Sequence, residues 1–194
     1  MGLRLCAFGE STVNGTGDPE HLGWIGRALA GRRDVTLSNL GIRRETSREL
    51  AARWRAEAGL RWTEAKPMRL LFSFGLNDCT PGAAQGVRVS ADQAVANARA
   101  ILEAARALAP TLMIGPPPPA DPAVRAAART LNPRLALTSA DVGVPYIDVF
   151  ARLEAEPVWM AEVAEWDGAH PGAAGYARLA AIVTADPAWQ GFLT

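Results

Sequence analysis

Short apolar runs rich in Leu, Val and Ile alternate along the chain with longer stretches in which apolar residues recur every three or four positions. The first kind of run suits a strand buried on both faces, the second a helix with one buried stripe. Five runs predict strands at Leu3–Phe8, Val35–Leu40, Arg69–Phe74, Thr111–Ile114 and Pro145–Val149. Helices are predicted at Leu22–Arg32, Thr46–Gly59, Ala91–Ala109, Pro122–Asp141 and Ala173–Ala185. The helix from Ala91 is the clearest, since Val95, Ala98, Leu102, Ala105 and Leu108 repeat at helical steps and Pro110 stops it. Strands alternating with helices are the βαβ signature of a parallel sheet covered on both faces, so the fold class is α/β. No internal repeat and no linker interrupts the alternation, and one domain over residues 1–194 is expected. The biased segment "GPPPPADP", Gly115–Pro122, reads as a stiff extended loop leaving the fourth strand.

Composition narrows this picture. With 49% hydrophobic and 21% charged residues, the chain has enough apolar surface for a real core and needs no disulfide or metal staple. Cys6 lies inside the first apolar run and Cys79 follows "FGLND"; neither sits in a CxxC or metal-ligand spacing, so both read as unpaired thiols. The 20 basic residues are matched by 20 acidic ones and form no long basic block, which argues against nucleic acid as a partner. No stretch approaches the ~20 uncharged apolar residues of a membrane span. "MGLRLCAFG" lacks a signal-peptide cleavage site, and the expectation is a cytoplasmic protein. Neither a P-loop nor GxGxxG is present, which weakens a nucleotide-binding reading.

In open parallel sheets ligands collect outside the carboxyl ends of the strands, so polar residues just past each strand are the candidates for chemistry. Ser11 follows the first strand in "FGESTVNGTG", Gly41 the second in "SNLGIRRETS", and Asn77 the third in "FGLND"; a late loop carries Asp167 and His170 in "WDGAHPGAAG". A serine hydroxyl attacks a carbonyl only when a base takes its proton, and an imidazole with a pKa near ~6.5 does so at neutral pH. The chain has two histidines, each in a D-x-x-H spacing: Asp18 before His21 and Asp167 before His170. Asp18-Pro19 followed by Leu22, Ile25 and Leu29 reads as a helix start, which commits the Asp18 carboxylate to backbone amides. Asp167-Gly168 reads as a turn, leaving Asp167 to orient the His170 ring, so His170 is the expected base. The Ser11 N–H, the Gly41 N–H and the Asn77 side-chain amide are the candidate donors for an oxyanion hole.

Taken in order, Ser11, Gly41, Asn77 and His170 resemble the four blocks of the SGNH, or GDSL-like, hydrolases, and the resemblance extends over nearly the whole chain. It implies a three-layer α/β/α, flavodoxin-like fold with a five-stranded parallel sheet in the order 2-1-3-4-5. It also implies metal-free, cofactor-free hydrolysis of small or medium acyl esters or thioesters through an acyl-enzyme, in the manner of esterases and lipases. Ser11 would be the nucleophile, His170 the base and then the acid, and Asp167 its orienting partner. Glu10 stands where the family usually has Asp, and Arg44 where a second glycine is common. A binding module that keeps this fold without turnover is the alternative. The arginines between Arg43 and Arg55 read as a solvated helix face, with Arg43 and Arg44 near enough to Gly41 to meet an acidic substrate group. Trp159 and Trp166 read as packing of the His170 loop onto the sheet, and Asp78 as a structural acceptor.

Overall fold

The computed structural model describes residues 2–63, 66–83 and 86–194. Strands Leu3–Gly9 (β1), Val35–Gly41 (β2), Met68–Ser73 (β3), Thr111–Ile114 (β4) and Tyr146–Ile147 (β5) form one sheet in the order β2-β1-β3-β4-β5. Every pairing is parallel. The helices run Ser11–Asn14 (α1), Gly23–Ala28 (α2), Ser47–Arg61 (α3), Ala91–Arg106 (α4), Pro122–Asp141 (α5), Phe150–Glu154 (α6), Pro157–Glu165 (α7), Ala173–Thr184 (α8) and Pro187–Phe192 (α9). No helix among the described residues is long and apolar enough to cross a membrane.

β1, β3 and β4 are buried at nearly every position because both faces of the sheet are covered there, while the edge strand β2 carries Thr36, Ser38 and Asn39 and stays partly open. Cys6 and Phe8 of β1, with Leu70 and Phe72 of β3, face α3, α4 and α5; Leu5, Ala7 and Leu71 face α2 and α6 to α9. On the first face the Phe8 and Phe72 rings stack at 5.5 Å and Trp54 meets Phe72 edge-on. On the second, Trp24, Trp159 and Tyr176 are fully buried. The architecture is the three-layer flavodoxin-like α/β/α sandwich, with the strand order expected from the sequence.

Local signals set the element ends. Thr46 and Glu49 form a reciprocal capping box at the start of α3, in which the Thr46 N–H donates to Glu49 Oε2 at 2.7 Å. Asp121 accepts from the N–H groups of Ala123 and Val124, and Pro122 opens α5. One predicted start is wrong in detail. Asp18-Pro19 begins a turn rather than a helix, His21 takes a left-handed φ of 56°, and α2 opens only at Gly23. The Asp18 carboxylate is nonetheless spent on amides, accepting from Glu20, Leu22 and Gly23 and pairing with Arg27. α1, α6, α7 and α9 are short additions that the longer periodic patterns did not announce.

Candidate active site

The loops leaving β1, β2 and β3 and the segment joining α7 to α8 converge on a cavity of about 650 Å³. Ser11, Asn77, Asp167 and His170 line it, with Arg43 and Arg44 on the wall and Leu76, Pro119 and Val124 supplying apolar surface. Of the five residues expected in the triad and the oxyanion hole, Gly41 alone is missing from the described residues of that wall.

Ser11 opens the one-turn helix α1 immediately after β1, with Glu10 as its N-cap residue. The Glu10 carbonyl accepts from the N–H groups of Val13 and Asn14, which fixes the turn and leaves the Ser11 N–H with no acceptor among the described residues. Glu10's side chain does more than cap. Its carboxylate is buried and accepts from three successive amides of the loop after β3: Gly75 and Leu76 (2.8 Å) on Oε1, Asn77 (2.9 Å) on Oε2. The methylene by which Glu exceeds Asp is therefore used to span from one loop to the next. Burial and the nearby Asp78 carboxylate push the Glu10 carboxyl up to about 8, against the pull of those amides.

Asn77 begins a short 3-10 turn, Asn77–Cys79. Its Nδ2 donates one hydrogen to the Glu45 carbonyl at 3.0 Å, and the second hydrogen of the amide is left for the cavity. Asp78 is a structural acceptor, as its position suggested: Oδ1 takes the Ser47 N–H at 2.8 Å, while Oδ2 is buried without a partner among the described residues. Glu45, beneath this loop, pairs with Arg53. The loop carrying Asn77 is thus held from behind by the Glu10 carboxyl group, by the Asp78 bond to the Ser47 N–H and by the Glu45 backbone carbonyl, and neither Glu10, Asp78 nor Glu45 lines the cavity.

Gly41 departs from expectation. Its N–H donates to Asn39 Oδ1 at 3.1 Å, and a Cβ on it would fall 2.3 Å from the Asn14 nitrogen and 2.8 Å from the Glu10 oxygen. Glycine is required there so that the end of β2 can pass against the turn bearing Ser11, behind the cavity. Arg44, three residues on, lies on the cavity wall with a left-handed φ of 69°, and its N–H has no acceptor among the described residues. An arginine thus occupies a backbone conformation that a glycine takes without strain.

The opposite wall is a turn. Asp167 Oδ1 accepts from the N–H groups of Ala169 (3.1 Å) and His170 (3.0 Å), with Gly168 at φ 80° between them. Asp167 Oδ2 lies 2.7 Å from His170 Nδ1, and since a carboxylate only accepts, Nδ1 carries the hydrogen and Nε2 is left as an acceptor. Burial raises the Asp167 carboxyl, but the His170 ring and the two turn amides outweigh it and hold the group below the usual carboxylate range. Arg43 Nη2 also reaches Asp167 Oδ2, at 3.3 Å, and its guanidinium lies over the Trp166 ring. His21, the rival histidine, lines a neighbouring hollow with Asp18 and not the Ser11 cavity. No hydrogen bond joins the Ser11 hydroxyl to His170 among the described residues; such contacts often close only around a substrate.

Trp159 is buried, with its indole N–H on the Pro118 carbonyl at 2.9 Å, in line with a packing role. Trp166 is not: it is 56% exposed, beside the His170 ring at 5.7 Å. Among the described residues no cluster of three or more His, Cys, Asp or Glu is arranged to hold a metal ion.

The fold is shared with known structures. The fold superposes on a member of the lipolytic G-D-S-L family from Veillonella parvula DSM 2008 (TM-score 0.73, 17% identity, 93% of this chain and 96% of that one). It is similar to an acetylxylan esterase from Geobacillus stearothermophilus (TM-score 0.70, 19% identity, 92% and 91%). It also resembles an alpha/beta hydrolase enzyme from the metagenome of Lake Arreo, Spain (TM-score 0.75, 19% identity, 98% and 96%). No curated protein sequence matches the chain. The model of the GDSL-like Lipase/Acylhydrolase family matches residues 7–178, which takes in all four loops of the cavity, and the chain belongs to that family.

Proposed function

We propose that the protein is a serine carboxylic ester hydrolase that works through an acyl-enzyme on small or medium acyl esters or thioesters. The observation that carries this reading is the Asp167–His170 pair at 2.7 Å on the same cavity as Ser11, with the free imidazole nitrogen turned away from the carboxylate. In the first step His170 Nε2 takes the Ser11 hydroxyl proton as Oγ bonds to the substrate carbonyl carbon, and the carbonyl electron pair moves onto oxygen. Collapse of that intermediate expels the alkoxide or thiolate, which takes the proton back from His170. Water repeats the sequence and frees the acid.

The developing oxyanion is assigned to the Ser11 N–H, the Arg44 N–H and the Asn77 side-chain amide. Arg44 replaces Gly41 in that role because the Gly41 N–H is already donated to Asn39. The cavity, at about 650 Å³, is of the size that takes a small or medium acyl group. Family membership supports the reaction class, and two structures of the Geobacillus esterase, one with a serine and one with a histidine replaced by alanine, are described as catalytic mutants.

The test is hydrolysis of p-nitrophenyl acetate together with labelling by a serine-directed fluorophosphonate. Turnover and a covalent adduct on Ser11 are expected, both lost in Ser11→Ala, while His21→Ala retains them. A folded protein that neither hydrolyses the ester nor takes the label would be a binding module on the same fold.

A further inference from the structure

Five charged or titratable side chains stand on the cavity wall: Arg43, Arg44, Asp121, Asp167 and His170. Four are committed. Asp121 caps α5, Asp167 holds His170 and its own turn, and Arg43 reaches Asp167. Arg44 alone makes no side-chain hydrogen bond or ion pair among the described residues, although acids lie close to it in sequence. Glu45 is held by Arg53, and Glu49 is drawn into the Thr46 cap and toward Arg88. Arg88 approaches from the other side, donating from Nη1 to the Arg44 carbonyl at 2.6 Å. The result is a second hollow of about 310 Å³, lined by Arg43, Arg44 and Arg88 beside these committed acids, and Arg43 and Arg44 also line the cavity that holds Ser11.

Backbone conformation is the second observation. Arg44 holds φ 69°, a left-handed state that costs a side-chain-bearing residue free energy and a glycine almost none. If this position served only to offer a backbone N–H, glycine would do it without strain. The exposed, unpaired guanidinium is what the arginine adds.

From this charge inventory we infer that the cleft selects esters whose non-reacting part carries an anionic group, a carboxylate or a phosphate, bound by the Arg44 guanidinium with Arg43 and Arg88 beside it. A planar guanidinium takes such a group through paired, charge-assisted hydrogen bonds, and the neighbouring arginines raise the local potential. Ser11 and the anion site share one wall, so the substrate is a compact ester with its charge a few bonds from the carbonyl. This inference deepens the proposed ester hydrolysis and rests on it.

Two pairs of substrates separate the possible positions of the charge. Mono-p-nitrophenyl succinate against p-nitrophenyl pentanoate places it on the acyl side; 4-acetoxybenzoate against methyl 4-acetoxybenzoate places it on the alcohol side. In at least one pair the wild-type protein should prefer the anionic ester by roughly tenfold in kcat/KM, chiefly through KM, and salt at 1 M should erode that preference. Arg44→Gln and Arg44→Gly should remove the preference, and Arg44→Lys should restore part of it. Wild-type ratios at or below one in both pairs overturn the inference, whatever the variants do. A salt-independent ratio, or one unchanged in Arg44→Gln, overturns it as well. Failure of the hydrolase reading looks different: no ester in either pair is turned over and Ser11 takes no fluorophosphonate.

Discussion

The two walls of the cavity are built by opposite means. On the Ser11–Asn77 side a buried carboxylate, Glu10, ties the loop after β1 to the loop after β3 through three amides, and Asp78 and Glu45 brace the same loop from below. On the Asp167–His170 side the bonds that aim the imidazole are local: one turn of chain, a left-handed glycine, and a carboxylate with about a quarter of its side chain still open to solvent. The first wall is part of what holds the fold together, whereas the second is an accessory to it. Damage to the first should therefore register in stability before rate, and damage to the second in rate alone.

Asp167→Asn sharpens that contrast most. Asparagine keeps an oxygen to accept the Ala169 and His170 amides, so the turn survives, but its amide side favours the wrong tautomer of His170. Ester turnover should fall by about 10⁴-fold, the size of the effect when the orienting carboxylate of a serine triad is neutralised. The melting temperature should move by no more than ~2 °C. A large loss of stability with this variant would mean that the His170 wall carries the fold after all.

Glu10→Ala is the mirror experiment. It strands three buried N–H groups, at about 1 to 3 kcal/mol each unless water enters, so a loss near 3 kcal/mol or more is expected, with a melting point lower by roughly 10 °C. The pH dependence separates the walls again, by sign. The Glu10 carboxyl is raised from 4.5 to about 8, so its contribution to stability is fully present below pH 4.5 and is lost as pH rises through 8. Asp167 is lowered, so its contribution is present above the ordinary carboxylate range and lost as pH falls below it. In melts from pH 4.5 to 9, Glu10→Gln should flatten the decline toward alkaline pH seen in wild type, and Asp167→Asn should leave it in place. Identical slopes in wild type and Glu10→Gln would remove Glu10 as the titrating group.

The same contrast accounts for what could be read from the sequence. The layering and the meeting of Ser11, Asn77 and His170 follow from periodic apolar runs and from polar residues placed just past strand ends, because those signals are local and repeat; the strand order came only with the family resemblance, since periodicity does not say which strands are neighbours. Asp167 with His170 was equally legible, since four successive residues of one turn contain the whole interaction. Gly41 misled because a glycine after a strand says only that something comes close; the visitor is the Asn14 backbone, which is known only once β1 and β2 lie side by side. The span of Glu10 to three amides some 65 residues away could not be seen in a residue that differs from the family pattern by one methylene. Trp166 was assigned to packing because aromatic residues usually are buried, and nothing in its neighbours marks it as exposed.

The smallest expected effect concerns an ion pair that links the walls. Arg43 comes from the loop after β2 and reaches Asp167 Oδ2 across the mouth of the cavity at 3.3 Å, from a side chain that is 55% exposed. A solvated pair of this kind contributes only ~0.2 to 1 kcal/mol, and its partner oxygen already holds the His170 ring at 2.7 Å. Arg43→Gln should therefore change the turnover of a neutral ester by no more than about fivefold and stability by less than ~1 kcal/mol, with both differences shrinking in 1 M salt. If instead it approached the loss expected of Asp167→Asn, Arg43 would be helping to hold the carboxylate in place. The accessory wall would then depend on a contact from the far side of the cleft, and the two walls would have to be treated as one unit.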